Sequence, residues 1–193
     1  MLASAPVSEP LPNEPLLPAL LPFIPLDALP RTGWILRGIA QPESVAGHIV
    51  NTCFVVLALG PRVAPALDLD RAVTLALLHD APEALTGDLP RMVKELLPAG
   101  AKAHAEERAA RALLGPVSSF AHERWSEYDA GETREARFVK LCDRLQMGVR
   151  AVAYRQLGLR GLDDFEVTLR ALECGEFAAA GALQSEILVA LRA

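Results

Sequence analysis

The stretch Leu77-Leu78-His79-Asp80-Ala81-Pro82-Glu83-Ala84-Leu85-Thr86-Gly87-Asp88 ends an apolar run in adjacent ionisable side chains. Two more carboxylates follow within the next eight positions. Burying such neighbours is expensive unless something compensates their lost hydration. A divalent cation does so, because imidazole and carboxylate together suit Zn, Fe, Mn or Co. The same pair also suits a helix end at which His79 and Asp80 simply meet solvent, and this window alone does not choose.

Two further residues bear on the choice. Glu43-Ser44-Val45-Ala46-Gly47-His48 places a histidine in the first turns of a helix that is otherwise apolar (Val45, Ile49, Phe54, Val55), so His48 is expected near the interior. A lone histidine there also reads as a hydrogen-bonded core residue. Phe138-Val139-Lys140-Leu141-Cys142-Asp143-Arg144 carries an aspartate inside an apolar helix. Left unpaired it would be costly, and its chain neighbour Arg144 does not share its face. His48, His79, Asp80 and Asp143 thus come from three helices of one bundle. Two imidazoles and two carboxylates fill four positions of an octahedral ion and leave room for water and substrate oxygens. Because His79 and Asp80 diverge by about 100° around a helix axis, the ion must sit between helices. Pro82 kinks or ends the helix beside these ligands.

The elements that must position them are helical. Ser44 caps a helix running to Leu59 and ended by Gly60-Pro61; Asp68 or Asp70 caps a second running to His79. A third is predicted from near Pro90 through the charged, Ala-rich segment to Leu114, and a fourth from Ser118 to Tyr128. A fifth follows Gly131, with Phe138, Leu141, Cys142, Leu145 and Val149 at helical spacing. Two more are predicted from Asp163 to Glu173 and from Glu176 to the C-terminus. No segment alternates with period two, so the fold class is all-α: a single helical domain over 23–193 behind a Pro-rich tail, 1–22, extended or disordered. Residues 1–30 hold eight of the fifteen prolines.

Composition narrows the function. Hydrophobic residues make up 51% of the 193, enough for a sizeable core, and the formal charge of −5 with scattered Lys and Arg argues against a nucleic-acid polymer as partner. There is no basic leader and no unbroken apolar run of bilayer length, which argues against a signal peptide or a membrane span. The three widely spaced cysteines read as reduced thiols of a cytoplasmic protein.

The order His48, His79-Asp80, Asp143 resembles the HD superfamily of metal-dependent phosphohydrolases. Further segments are similar to its 5′-deoxynucleotidase branch: Arg31-Thr32-Gly33-Trp34, Pro42 to His48, His79 to Glu83 with Thr86-Gly87-Asp88-Leu89-Pro90, Trp125 to Tyr128, and Phe138-Val139-Lys140. The likeness covers about 23–175, and the Pro-rich start departs from it. It implies a single HD-domain bundle that hydrolyses deoxynucleoside 5′-monophosphates with a divalent cation (Mn, Co, Mg, Zn or Fe), as a homodimer. Glu83, four residues after His79 and on its face if the helix continues, is the candidate to orient or deprotonate water. Asp88 would accept from the sugar 3′-hydroxyl or, with Glu83 and the Leu89 carbonyl, hold a second cation. Trp34 would pack against the sugar and offer a 2′-hydroxyl no polar partner. Arg31 or Arg37 would pair with phosphate oxygens. Ordinary readings of these residues are a solvated glutamate at 83, core packing for Trp34 and a surface position for Arg37. His104 lies in a highly charged helical stretch expected to face solvent, and His122 has Glu123 and Arg124 beside it, so the two are not expected to bridge two metals. An HD phosphohydrolase for a cyclic nucleotide or alarmone, and a non-catalytic nucleotide-binding protein, are the alternatives.

Overall fold

The computed structural model describes residues 15–192; the first fourteen residues of the predicted tail lie outside it. The described chain begins with the short helix α1 (Leu17–Leu20) and a 3₁₀ turn (Leu21–Asp27), helical where the predicted tail to residue 22 is extended, and Phe23 and Leu26 of the turn pack inward with Val45 and Ile49. α2 (Thr32–Ile35) follows. Then come α3 (Val45–Leu59), α4 (Leu69–Leu78), α5 (Glu83–Thr86), α6 (Arg91–Leu96), α7 (Ala101–Leu114), α8 (Ser119–Ala130), α9 (Arg134–Gln156), α10 (Asp163–Arg170) and α11 (Ala178–Ala190). Among the described residues no strand forms. One antiparallel bridge joins Pro30 to Ser44, and Arg31 N–H donates to the Glu43 carbonyl, which fixes Arg31 beside the start of α3.

Side-chain caps set the long helices. Ser44 Oγ accepts from Gly47 N–H at the start of α3, and Asp68, rather than Asp70, accepts from Arg71 N–H at the start of α4. Ser118 and Thr133 do the same for α8 and α9. Each cap satisfies one amide that the helix itself leaves bare. α9 is the hub, packed on α3, α4, α8, α10 and α11. Its inward face carries Phe138, Leu141, Cys142 and Leu145 as the spacing predicts, while Val149 turns toward solvent. α3 and the 3₁₀ turn after it form an 18-residue apolar stretch of mean hydropathy 1.3, Val45–Arg62. It is packed against α4 and α9, with His48 and Thr52 fully buried, whereas Phe54 on its outer side is exposed.

Two predicted helices differ. The third divides into α6 and α7, because Pro98 holds Leu97 in an extended conformation (ψ 148°) and Gly100 takes φ 78°. The second ends at Leu78 with His79 as its C-cap, and the chain continues through a tight turn into α5 instead of as one helix. Pro82 has no amide hydrogen to give Leu78, so Ala81 and Glu83 donate three residues back, to Leu78 and Asp80. Glu83 is therefore stacked one tight turn after Asp80, not one α-turn after His79.

Candidate metal centre and active site

His48 comes from the second turn of α3, His79 from the end of α4, Asp80 from the turn that follows, and Asp143 from the middle of α9. Their atoms converge. His48 Nε2 lies 3.2 Å from His79 Nε2 and 2.9 Å from Asp143 Oδ1. Asp80 Oδ2 is 3.5 Å from His48 Nε2 and 3.3 Å from His79 Nε2. One donor atom from each of His48, His79 and Asp80 falls within 4.8 Å of the others, and Asp143 joins them through His48.

The partners on the far side of each ring decide what this cluster can hold. Gln146 donates an amide hydrogen to the Glu43 carboxylate (3.0 Å), which turns its amide oxygen toward His48 Nδ1 at 2.6 Å. His79 Nδ1 lies 2.7 Å from the Ala76 carbonyl oxygen. Both oxygens only accept, so both Nδ1 atoms carry hydrogen. In the neutral rings the two Nε2 lone pairs then face each other, and they repel unless a cation lies between them. With two carboxylates alongside, the donor set fits a divalent metal, and the outward hydrogen bonds are those that hold imidazole ligands in place.

Electrostatics agree. Burial works against a charge on His79, but the Asp80 carboxylate outweighs it and leaves that imidazole at about 9. Burial raises Asp80 and Asp143, yet His79 holds the first well below the usual carboxylate range and His48 holds the second below it. A divalent ion bound here competes for the same lone pairs as that proton.

Beside the cluster opens a cavity of about 150 Å³, lined by His79, Asp80, Pro82, Glu83, Lys102, Glu106, Trp125, Tyr128 and Asp143. The Tyr128 ring meets His79 edge-on, with centroids 5.4 Å apart. Burial and then Asp143 push its phenol well above the ordinary tyrosine value.

The structure brings Arg31, Glu83 and Asp88 together as well. Arg31 Nη1 lies 2.9 Å from Asp80 Oδ2, 3.1 Å from Asp88 Oδ1 and 3.7 Å from Glu83 Oε2. One guanidinium thus serves three carboxylates, and it stays charged despite its burial. Asp88 follows Gly87, whose φ of 73° turns the chain back, and accepts from Thr32 N–H at 2.6 Å. Leu89, whose carbonyl is the remaining candidate ligand, continues the same irregular stretch before α6.

Other predicted residues stand elsewhere. Trp34 is 2% exposed, stacked on Phe165 and edge-on to Tyr154, and its indole N–H goes to Glu43. It is part of the core behind His48 instead of a cavity wall. Arg37 lies over the Phe165 ring and pairs with Asp164. His104 is exposed; His122 packs beside Trp125, and neither belongs to the metal-ligating group.

Sequence reasoning passed over Glu43 as a buried anchor, Gln146, and the wall formed by Lys102 and Glu106. Gln146 had a readable signal: a polar residue on the apolar face of α9, three positions after Asp143. Lys102 had none, since its segment reads as a solvated charged helix.

Comparison with known proteins agrees with this geometry. Residues 26–172 match the HD domain model. A 5′-deoxynucleotidase HDDC2 of Xenopus laevis is 34% identical over 150 residues, covering 72% of this chain and 70% of that protein. That of Bos taurus is 35% identical over 136 residues, covering 68% of this chain, which spans 64% of the cattle protein's length. Among solved structures, a protein of Pyrococcus horikoshii superposes with a TM-score of 0.79 at 25% identity, over 90% of this chain and 99% of that one. The chain belongs to the HD domain family and, within it, to the branch of the 5′-deoxynucleotidases.

Proposed function

We propose that the chain is a metal-dependent phosphomonoesterase that hydrolyses deoxynucleoside 5′-monophosphates to deoxynucleoside and phosphate. The observation that carries this reading is the approach of the two imidazole Nε2 atoms to 3.2 Å, flanked by Asp80 and Asp143 and beside a cavity of about 150 Å³. The substrate class comes from the relatives' activity.

His48, His79, Asp80 and Asp143 would hold a divalent ion, which would supply Lewis acidity and a water of lowered pKa. The residues do the rest. Glu83, buried in the cavity wall, takes a proton of the attacking water as its oxygen bonds to phosphorus, and hands that proton to O5′ as the P–O5′ bond breaks, leaving deoxynucleoside and phosphate. Asp88 accepts from the sugar 3′-hydroxyl, or shares a second cation with Glu83 and the Leu89 carbonyl. Arg31 holds the three carboxylates together and reaches phosphate from among them. Trp34 acts at one remove, through the hydrogen bond its indole N–H gives the Glu43 carboxylate that anchors Gln146 and, through it, His48. As a homodimer, two copies would cover apolar side chains such as Val50, Phe54 and Leu57 on α3, all exposed here.

Phosphate release from a panel of deoxy and ribo 5′-monophosphates, a cyclic nucleotide and an alarmone tests the reading. After EDTA treatment each metal is restored in turn. Hydrolysis of the deoxy monophosphates is expected to depend on metal and to fall on the order of a thousandfold in His79→Ala. Faster cleavage of the ribo than the deoxy series sinks the proposed substrate class, and unchanged release in His79→Ala sinks the metal centre.

A further inference from the structure

Among the described residues, Lys102 is the one lysine or arginine lining the cavity, which it shares with Asp80, Glu83, Glu106 and Asp143. Helix stability does not account for its place. It stands in the first turn of α7, a helix with no side-chain cap and no acidic residue in that turn, where the helix dipole disfavours a cation. Its ion pair with Glu106 one turn on has lysine before glutamate, the weaker order on a helix. Both side chains turn to the cavity wall, while Ala103, His104 and Ala105 between them are exposed.

A phosphate monoester brings about two negative charges into a cavity already lined by four carboxylates. One divalent ion leaves that sum negative, and Arg31 is already engaged by three of the acids around it. Lys102 is half-buried, and its flexible stem and point charge suit phosphate oxygens approached from varied directions. We propose that Lys102 binds the substrate's phosphate group across the cavity from the metal ligands, and that Glu106 holds the ammonium there between turnovers. The inference rests on the proposed function for its substrate, but the phosphate contact itself is measurable without turnover.

The test compares Lys102→Met, Lys102→Arg and Glu106→Gln with the parent, all loaded with Mn²⁺. Inorganic phosphate binding is measured by calorimetry, and KM and kcat with the deoxynucleoside monophosphate that the parent cleaves fastest. Loss of one charge-assisted contact predicts that Lys102→Met weakens phosphate binding and raises KM about tenfold or more, with an unchanged melting temperature. Lys102→Arg is expected to recover most of both. Glu106→Gln, which releases the ammonium, is expected to tighten phosphate at least twofold, roughly the effect of removing one exposed pair; it carries the test should the methionine variant not fold. Phosphate affinity within twofold of the parent in both Lys102→Met and Glu106→Gln overturns the proposal, as does a parent that binds no phosphate. A parent that binds phosphate through Lys102 yet cleaves no deoxynucleotide refutes the proposed substrate class alone.

Discussion

The two halves of the site are held by different kinds of backbone. His48, His79 and Asp143 sit on or at the end of α3, α4 and α9, three helices of ten or more residues, each started by a side-chain cap. Arg31, Glu83, Asp88 and Lys102 stand instead just after a bridge, on a four-residue helix, on the stretch after Gly87 and in the first turn of a helix restarted past Pro98 and Gly100. The two imidazoles of the first half are oriented by hydrogen bonds to neutral acceptors, the Gln146 amide and the Ala76 carbonyl. The second half is held by charge, with one guanidinium among three carboxylates. On the proposed function, a site built this way would keep ligand directions fixed at the ion and leave ionic contacts free to exchange at the substrate.

The sharpest way to break the contrast is to remove the charge that organises the second half. Arg31 is nearly buried, so Arg31→Ala withdraws the guanidinium that Asp80, Glu83 and Asp88 share, and the expected cost is about 3–5 kcal/mol of stability. Urea denaturation of the metal-free protein measures it. Millimolar Mg²⁺ is expected to restore part of the loss in Arg31→Ala and to add less to the parent, because the freed carboxylates then share a cation. A loss below about 1 kcal/mol would show that this half does not depend on its guanidinium.

The first half is probed through its hydrogen bonds instead. Gln146→Leu removes the acceptor from His48 Nδ1 and the donor to Glu43, both of them buried. Metal affinity, read by competition with a chelator, is expected to fall by about 10–100-fold. The exchanged pair Glu43→Gln with Gln146→Glu should restore much of it, since a carboxylate at 146 still accepts from His48 while an amide at 43 donates back. Affinity unchanged in Gln146→Leu would mean that the ring needs no fixed partner.

The same division explains what could be read in advance. The candidate metal ligands were legible because their helices follow caps and apolar spacing, and a polar residue on such a helix stands out against its face. Glu83 was harder to place. Its position depends on how the chain passes Pro82, and a regular helix would have aligned it with His79 rather than Asp80. Lys102 depended on the break at Pro98 and Gly100, which the charged segment on either side disguised as one helix. Trp34 went the other way. The core offers it Tyr154, Phe165 and the Glu43 carboxylate, so a residue expected at the sugar is consumed by packing.

Arg37 marks the outer edge of the comparison and sets its smallest effect. Its pairing with Asp164 holds that carboxyl below the ordinary aspartate value. A carboxylate lowered in the folded state contributes stability above its unfolded value, near 4, and that contribution is lost as pH falls through the lower folded value. The Asp164 side chain is 58% exposed, so solvent screens the pair and the contribution at pH 6 is roughly half a kcal/mol or less. Asp164→Asn should therefore differ slightly from the parent in unfolding free energy at pH 6 and converge with it near about pH 2. Both Asp164→Asn and Arg37→Ala should leave KM within about twofold of the parent, since a surface pair spends its charge on itself. A tenfold rise in KM for Arg37→Ala alone would place this guanidinium at the phosphate. It would then join Arg31 and Lys102 in the charge-held half, and the boundary between scaffold and substrate side would lie one helix further out than the present geometry draws it.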